Sequence, residues 1–245
     1  MRDIQWLEPG QPFPPASQAW GGADPAPGLL AVGSALDVMT LRQAYSQGIF
    51  PWFNEGQPIL WWSPDPRMVL QTARFKFHRS LRQTLKSFLS GPRNELRVDT
   101  AFSEVIRACA SSRRRGQKGT WIVDDMIKAY EALHVEGVAH SIEIWVNDRL
   151  TGGLYCLCIG AAVFGESMFS RESNASKLAL TGLVAFCRHN GITHIDCQQN
   201  TPHLASLGAM EMSRTEFLSH VREAILTPSP DWHFDSVYWD TVLKR

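Results

Sequence analysis

The sequence predicts an α+β protein with helices packed on the faces of a sheet, and three observations carry that expectation. Residues 140–166 alternate apolar and polar side chains in three short runs, broken at Asn147-Asp148 and at Gly160. A longer segment opened by Asn174 then places Leu180, Leu183, Val184 and Cys187 on one helical face, closed by Asn190-Gly191. The short apolar run from Thr193 to Cys197 follows as a buried strand, so the order is strand, strand, strand, helix, strand.

The remaining elements follow from local signals. Between Pro9 and Pro27 six of the fourteen prolines leave an extended lead-in. Asp37 or Thr40 caps a short helix through Leu41 and Tyr45 that stops at Gly48. The stretch IFPWFNEGQPILWW reads as a turn between two short aromatic strands, and Pro64 and Pro66 punctuate the chain after it. A small N-terminal α/β subdomain over residues 1–66 and a main domain over 67–245 are therefore expected. In the main domain, Ser80 to Leu89 and Ala101 to Ala110 read as helices. Asp124 starts another, whose Met126, Ile127, Tyr130, Leu133 and His134 form one stripe. A strand near Met210 and a helix from Thr215 to Leu226 complete the set.

Composition excludes several classes. With 245 residues, 44% hydrophobic and 20% charged, the chain is of ordinary globular type. Its longest uncharged stretch in the second half, residues 151–165, falls short of the ~20 apolar residues that span a bilayer. No apolar leader precedes the first prolines, so a cytoplasmic protein is expected, with no membrane partner. Five cysteines without a C-x-x-C spacing point to buried thiols rather than disulfides or a zinc site, and no metal is expected.

The charge balance is zero but uneven. From Gln71 to Lys118 twelve cations stand against Glu95, Asp99 and Glu104, a local net of +9. Arg74, Lys76, Arg79, Arg82, Lys86, Arg113, Arg114, Arg115 and Lys118 lie in that block, which suits a polyanion surface or, more plainly, a solvated helical face.

Strand ends hold the candidate chemistry. Glu166 and Ser167 follow the third predicted strand, and Asp196 and Gln198, two apart, are expected on one side of the fourth. A carboxylate beside an amide suits proton handling, although Asp196 serves a helix cap equally well. Nucleophile-elbow, P-loop and H-E-x-x-H patterns are absent, and His134 on its apolar stripe reads as a core residue. The element order resembles the acetyltransferase (GNAT) fold. The loop FSRESNASK lacks the glycines that such folds bring against a pyrophosphate, so a different acyl donor is implied.

Six separated strings carry a more specific resemblance: GIFPWFNEGQPILWWSPDPR from Gly48, TWI from Thr120, HSIEIW from His140, GESMFSRESNASK from Gly165, IDCQ from Ile195 and HLASLGA from His203. Together they are similar to the bacterial leucyl/phenylalanyl-tRNA-protein transferases. Ser34, where glycine is usual, and Cys156, where glycine often follows the tyrosine, depart from that pattern.

The resemblance implies an acetyltransferase-like main domain and transfer of Leu or Phe from leucyl-tRNA or phenylalanyl-tRNA to proteins with N-terminal Arg or Lys, marking them for degradation. No cofactor and no DNA partner are implied. Ester aminolysis would fall to Asp196, polarising Gln198, with Glu166 holding an ammonium group. Trp52 and Trp121 would hold the donor's terminal adenosine, the cationic block its acceptor stem, and Met168, Phe169 and Phe186 would wall an apolar pocket. Trp61, Trp62 and Trp145 are expected in the core. Two other readings compete: an acyl-coenzyme A-dependent N-acyltransferase on the same fold, and a non-catalytic RNA-binding module.

Overall fold

The computed structural model describes residues 3–112 and 122–244, and the fold is mixed α+β, built on two sheets. The first has four short strands, β1 (Gln5–Leu7), β2 (Leu29–Gly33), β3 (Phe50–Pro51) and β4 (Leu60–Trp62), in the order β1-β2-β4-β3. Its β3–β4 hairpin is the aromatic turn expected from the sequence, whereas β1 and β2 bracket the proline-rich lead-in. Helix α1 (Val38–Ser46) is capped by Asp37, whose carboxylate accepts from the Thr40 amide. It ends before Gly48, whose φ of 70° favours glycine and where a Cβ would run into the Leu218 and Phe217 side chains.

The second sheet holds seven strands: β5 (Arg67–Gln71), β6 (Asn94–Val98), β7 (Ala139–Val146), β8 (Arg149–Ile159), β9 (Ala162–Ser170), β10 (His194–Gln198) and β11 (Met210–Met212). They are ordered β11-β5-β10-β9-β8-β7-β6. The meander β7-β8-β9 is antiparallel as its turns require, and β9 and β10 pair in parallel across helix α5 (Ala175–His189). Helices α2 (Arg79–Ser90), α3 (Phe102–Ser111), α4 (Asp124–Val135), α6 (Pro202–Ser206), α7 (Arg214–Ala224) and α8 (Asp240–Leu243) complete the elements.

Two apolar cores follow, one on each face of this sheet. One joins α1, α3, α4 and α7 with the small sheet and centres on Tyr45, Trp61 and Tyr130. The other buries α5 against α2 and the C-terminal segment, around Leu85, Leu183 and Phe186. All five cysteines are free thiols. No helix among the described residues is long and apolar enough to cross a membrane, and no cluster of metal-ligating side chains occurs among them.

The third strand differs from the sequence expectation. It runs to Ser170 rather than ending at Glu166, because β8 continues to pair with it as far as Gly152 opposite Ser170. Glu166 therefore lies inside a strand. Strands β5 and β6, also unforeseen, join the sheet beside β10 and β7, with β11 on the outer side of β5.

Candidate active site

Two β-bulges place the polar groups. On β9, Tyr155 faces Ser167 and Cys156 faces Gly165, which leaves Glu166 as the extra residue between them. On β10, Asp196 faces Val69 and Gln198 faces Met68, so Cys197 is extra and Gln198 is pushed to φ 62°. A bulge re-aims the side chains around it, and a left-handed glutamine is a strained conformation that packing must hold. Pairing between β9 and β10 stops at Phe164 and Asp196, and beyond it Gln198 Nε2 donates to Glu166 Oε1 at 2.8 Å.

Asp196 has a different partner from the one its spacing suggested. Its carboxylate accepts from Arg67 Nε at 2.8 Å and from Arg67 Nη2 at 2.6 Å, and it takes the backbone amide of Gln198 at 2.9 Å. The guanidinium donates further to the Gly48 carbonyl and lies between the rings of Phe50 and Phe217. The two-residue spacing implied side chains on one side. The bulge rotates Gln198 away, so Asp196 meets its amide nitrogen on the main chain and Glu166 meets its side chain.

Glu166 is half-buried and crowded. The Tyr45 hydroxyl from α1 lies 2.8 Å from Oε1, the Tyr130 hydroxyl from α4 lies 3.2 Å from Oε2, and the two hydroxyls touch each other. Burial pushes the Glu166 carboxyl up to about 8, helped by the Asp196 charge and opposed by the hydrogen bonds and by Arg67. Burial likewise lifts both phenols well above their usual value.

An apolar cavity of about 70 Å³ opens beside Glu166, lined by Leu154, Met168, Leu180, Leu183, Ile195 and Leu204 among others. Met168, expected from the resemblance as a pocket wall, is among the cavity's lining residues. Phe169, the next residue on the strand, points to the opposite face and packs in the other core, with Arg171 over its ring. Phe186 shares the core of α5 but stacks on Trp232, and it does not line the cavity. Leu180 and Leu183 take the place expected for it, roughly two and one helical turns earlier.

Trp52 is half-buried in the small sheet, edge-on to Trp62, whose indole donates to its carbonyl at 2.7 Å. Trp61 is core and donates to the Gly33 carbonyl, while half-buried Trp145 donates to Glu143 under the Arg97 guanidinium. Arg74 and Lys76, just before α2, and Arg79 and Lys86, on it, are exposed. Arg82 is half-buried, donating to the Leu243 carbonyl and stacked over Phe77. Arg113, Arg114, Arg115, Lys118 and Trp121 lie outside the described residues. Arg67, Tyr45 and Tyr130 escaped the sequence reading. Only the invariably costly burial of an arginine would have singled out Arg67, and burial is not visible in a sequence.

A cavity with apolar walls, bounded by an elevated carboxyl and an amide on strained backbone, is the candidate site of an enzyme. Comparison with known proteins gives the class a family. Residues 69–222 match the leucyl/phenylalanyl-tRNA protein transferase family and residues 34–65 match the N-terminal domain of that family. The leucyl/phenylalanyl-tRNA–protein transferase of Albidiferax ferrireducens is 60% identical over 240 residues, covering 98% of this chain and 94% of its own. Those of Polaromonas sp. and Leptothrix cholodnii are 59% and 52% identical, over 99% of this chain and 95% and 96% of theirs. The chain belongs to the leucyl/phenylalanyl-tRNA protein transferase family and is a transferase.

Proposed function

We propose that the protein transfers leucine or phenylalanine from its tRNA ester to the N-terminal amine of proteins that begin with Arg or Lys, marking them for degradation in the cytoplasm. The observation that carries the reading is the apolar cavity lying directly against Glu166, with Gln198 hydrogen-bonded to that carboxyl. The side chain of the transferred residue enters the cavity and its ester carbonyl is left beside the polar pair. An empty apolar cavity of ~150 Å³ accepts a benzene ring, so a cavity of about 70 Å³ takes these side chains only when Met168 yields. Methionine, unbranched and with three rotatable bonds, is suited to that.

An aminoacyl ester is already activated, so the catalytic need is alignment of amine and carbonyl and the handling of one proton. Gln198 is the group that meets the attacking amine or the developing oxyanion, and Glu166 is its partner. Asp196 acts from behind: with Arg67 it fixes the Gln198 amide and so the direction of its side chain. Trp52 and Trp121 stack the donor's terminal adenosine, a contact worth ~1–3 kcal/mol that reads no sequence. The exposed cations Arg74, Lys76, Arg79 and Lys86, with Arg113, Arg114, Arg115 and Lys118, hold acceptor-stem phosphates. Arg82 is the weakest of that set because its guanidinium is already engaged.

On this reading residues 1–66 form a small N-terminal domain and residues 67–245 an acetyltransferase-like catalytic domain. The parallel strands β9 and β10, joined by α5 and parting at the site, support the latter. The test is direct. Purified protein incubated with Phe-tRNA and an Arg-initiated peptide yields the peptide extended by one phenylalanine, seen by mass. An unextended peptide in the presence of intact donor refutes the proposal.

A further inference from the structure

The bulge of β9 brings together two phenols and one carboxyl group, and the supply of protons there can be counted. Tyr45 and Tyr130 are both fully buried, and three oxygen–oxygen contacts link them to each other and to the two oxygens of Glu166. Each contact needs one proton, and each tyrosine hydroxyl carries one. Two hydroxyls therefore supply two protons for three contacts.

With Glu166 ionised, one contact sets lone pair against lone pair in a buried place, which is costly. A third proton, on Oε2, gives every contact its donor: Glu166 donates to Tyr130, Tyr130 to Tyr45, and Tyr45 to Oε1 at 2.8 Å. Oε1 still accepts from Gln198 Nε2. The other charged and titratable groups bearing on Glu166 are Asp196 from β10, which opposes its ionisation, and Arg67 from β5, which favours it. Cys156 from β8 is a thiol that burial keeps neutral. Burial of the carboxyl acts in the same direction as the proton count, whereas phenols that donate to an ionised carboxylate act against it, and both phenols hold their single protons because burial also raises them.

We propose that Glu166 rests as a neutral acid closed into a cyclic hydrogen bond by the positioning residues Tyr45 and Tyr130, and that its stored proton goes to the leaving ribose oxygen of the donor. The second half rests on the aminoacyl-transfer reading given above. The step balances. The acceptor nitrogen attacks the ester carbonyl carbon and the C–N bond forms. The C–O bond to ribose breaks, and the Glu166 proton turns that oxygen into a hydroxyl. The surplus proton on nitrogen returns to Glu166 and restores the ring, so the protein ends as it began. Two carboxyl oxygens in contact with different phenols let the proton leave from one and return to the other.

The experiment titrates the Glu166 carboxyl in the full chain without substrate, by infrared spectroscopy with assignment against Glu166→Gln. The wild-type midpoint is expected far above the ordinary carboxylate range. Tyr45→Phe and Tyr130→Phe, near-isosteric changes whose folding is checked by thermal melting, should each lower that midpoint by about one pH unit, the worth of one hydrogen bond. The sign discriminates: phenols that merely donate to an ionised carboxylate would favour the charged form, and their removal would raise the midpoint. An unchanged or raised midpoint overturns the ring.

Transfer from a minimal aminoacyl-adenosine donor to an Arg-initiated peptide gives the second readout. The descending limb of its pH profile should move down by the same interval in both variants. A limb that stays in place while the midpoint falls overturns the proton delivery. Absence of transfer at every pH overturns the functional reading instead, and the spectroscopic sign then still decides on the ring.

Discussion

Replacing Asp196 by asparagine removes one charge from a buried pair, and the structure sets the size of the effect. Arg67 is 0% exposed and Asp196 3% exposed, and the guanidinium uses two donors on that carboxylate at 2.8 and 2.6 Å. Its remaining partners are one carbonyl, at 3.1 Å, and two aromatic faces. None of them carries a charge. Breaking a buried pair by removing one member typically costs ~3–5 kcal/mol, because the other charge stays desolvated. At ~2–4 °C per kcal/mol for a chain of this size, Asp196→Asn should lower the midpoint of thermal unfolding by about 6 to 20 °C. Circular dichroism melts at matched scan rate measure it. The double variant Arg67→Met with Asp196→Leu, which replaces the pair by apolar groups, should recover most of the loss. An Asp196→Asn midpoint within ~2 °C of wild type would refute the reasoning and return Asp196 to a purely chemical role.

Other outcomes follow from the same site. Trp52→Ala should weaken an aminoacyl-adenosine donor by ~1–3 kcal/mol while unfolding stays cooperative, as titration and melting would report. Burial pushes the Glu166 carboxyl from its ordinary 4.5 up to about 8, so the native chain holds a proton that the unfolded chain has released between those values. Stability should therefore decline as pH rises from about 4.5 to about 8 and level off above, and Glu166→Gln should flatten that interval in urea titrations. Replacing Lys76, Arg79 and Lys86 together by alanine should reduce the slope of log affinity for tRNA against log salt by roughly 2 to 3 if all three meet phosphates. An unchanged slope would make them a solvated face.

Much of this architecture is written locally. The meander shows in its alternation and in Asn147-Asp148 and Gly160, and α5 in its one-sided stripe, because those signals act over a few residues. Strand β6 stayed hidden because Glu95 and Arg97 sit in it, and only pairing with β7 makes it a strand. The polar Glu166-Ser167 pair read as an end, yet long pairing with β8 carries β9 through it.

The site divides in the same way. Glu166, Gln198 and Met168 stand in legible strings, whereas Tyr45 and Tyr130 belong to helices 85 positions apart and meet the carboxyl only through packing. Phe169 and Phe186 failed as pocket walls for a related reason. Being aromatic and near the site in sequence does not fix the face of the sheet or the turn of the helix on which a ring lies.

On the proposed function, the cavity beside Glu166 receives the side chain being transferred. The most direct measurement compares Met168→Trp with wild type for kcat/KM on Leu-tRNA and Phe-tRNA, with affinity for uncharged tRNA determined in parallel. Met168 is only half-buried, so the larger ring can be accommodated without loss of fold, which melting verifies. Filling the cavity should abolish transfer from both donors while uncharged tRNA binds as before. A tryptophan variant that transfers either residue at the wild-type rate would contradict the account.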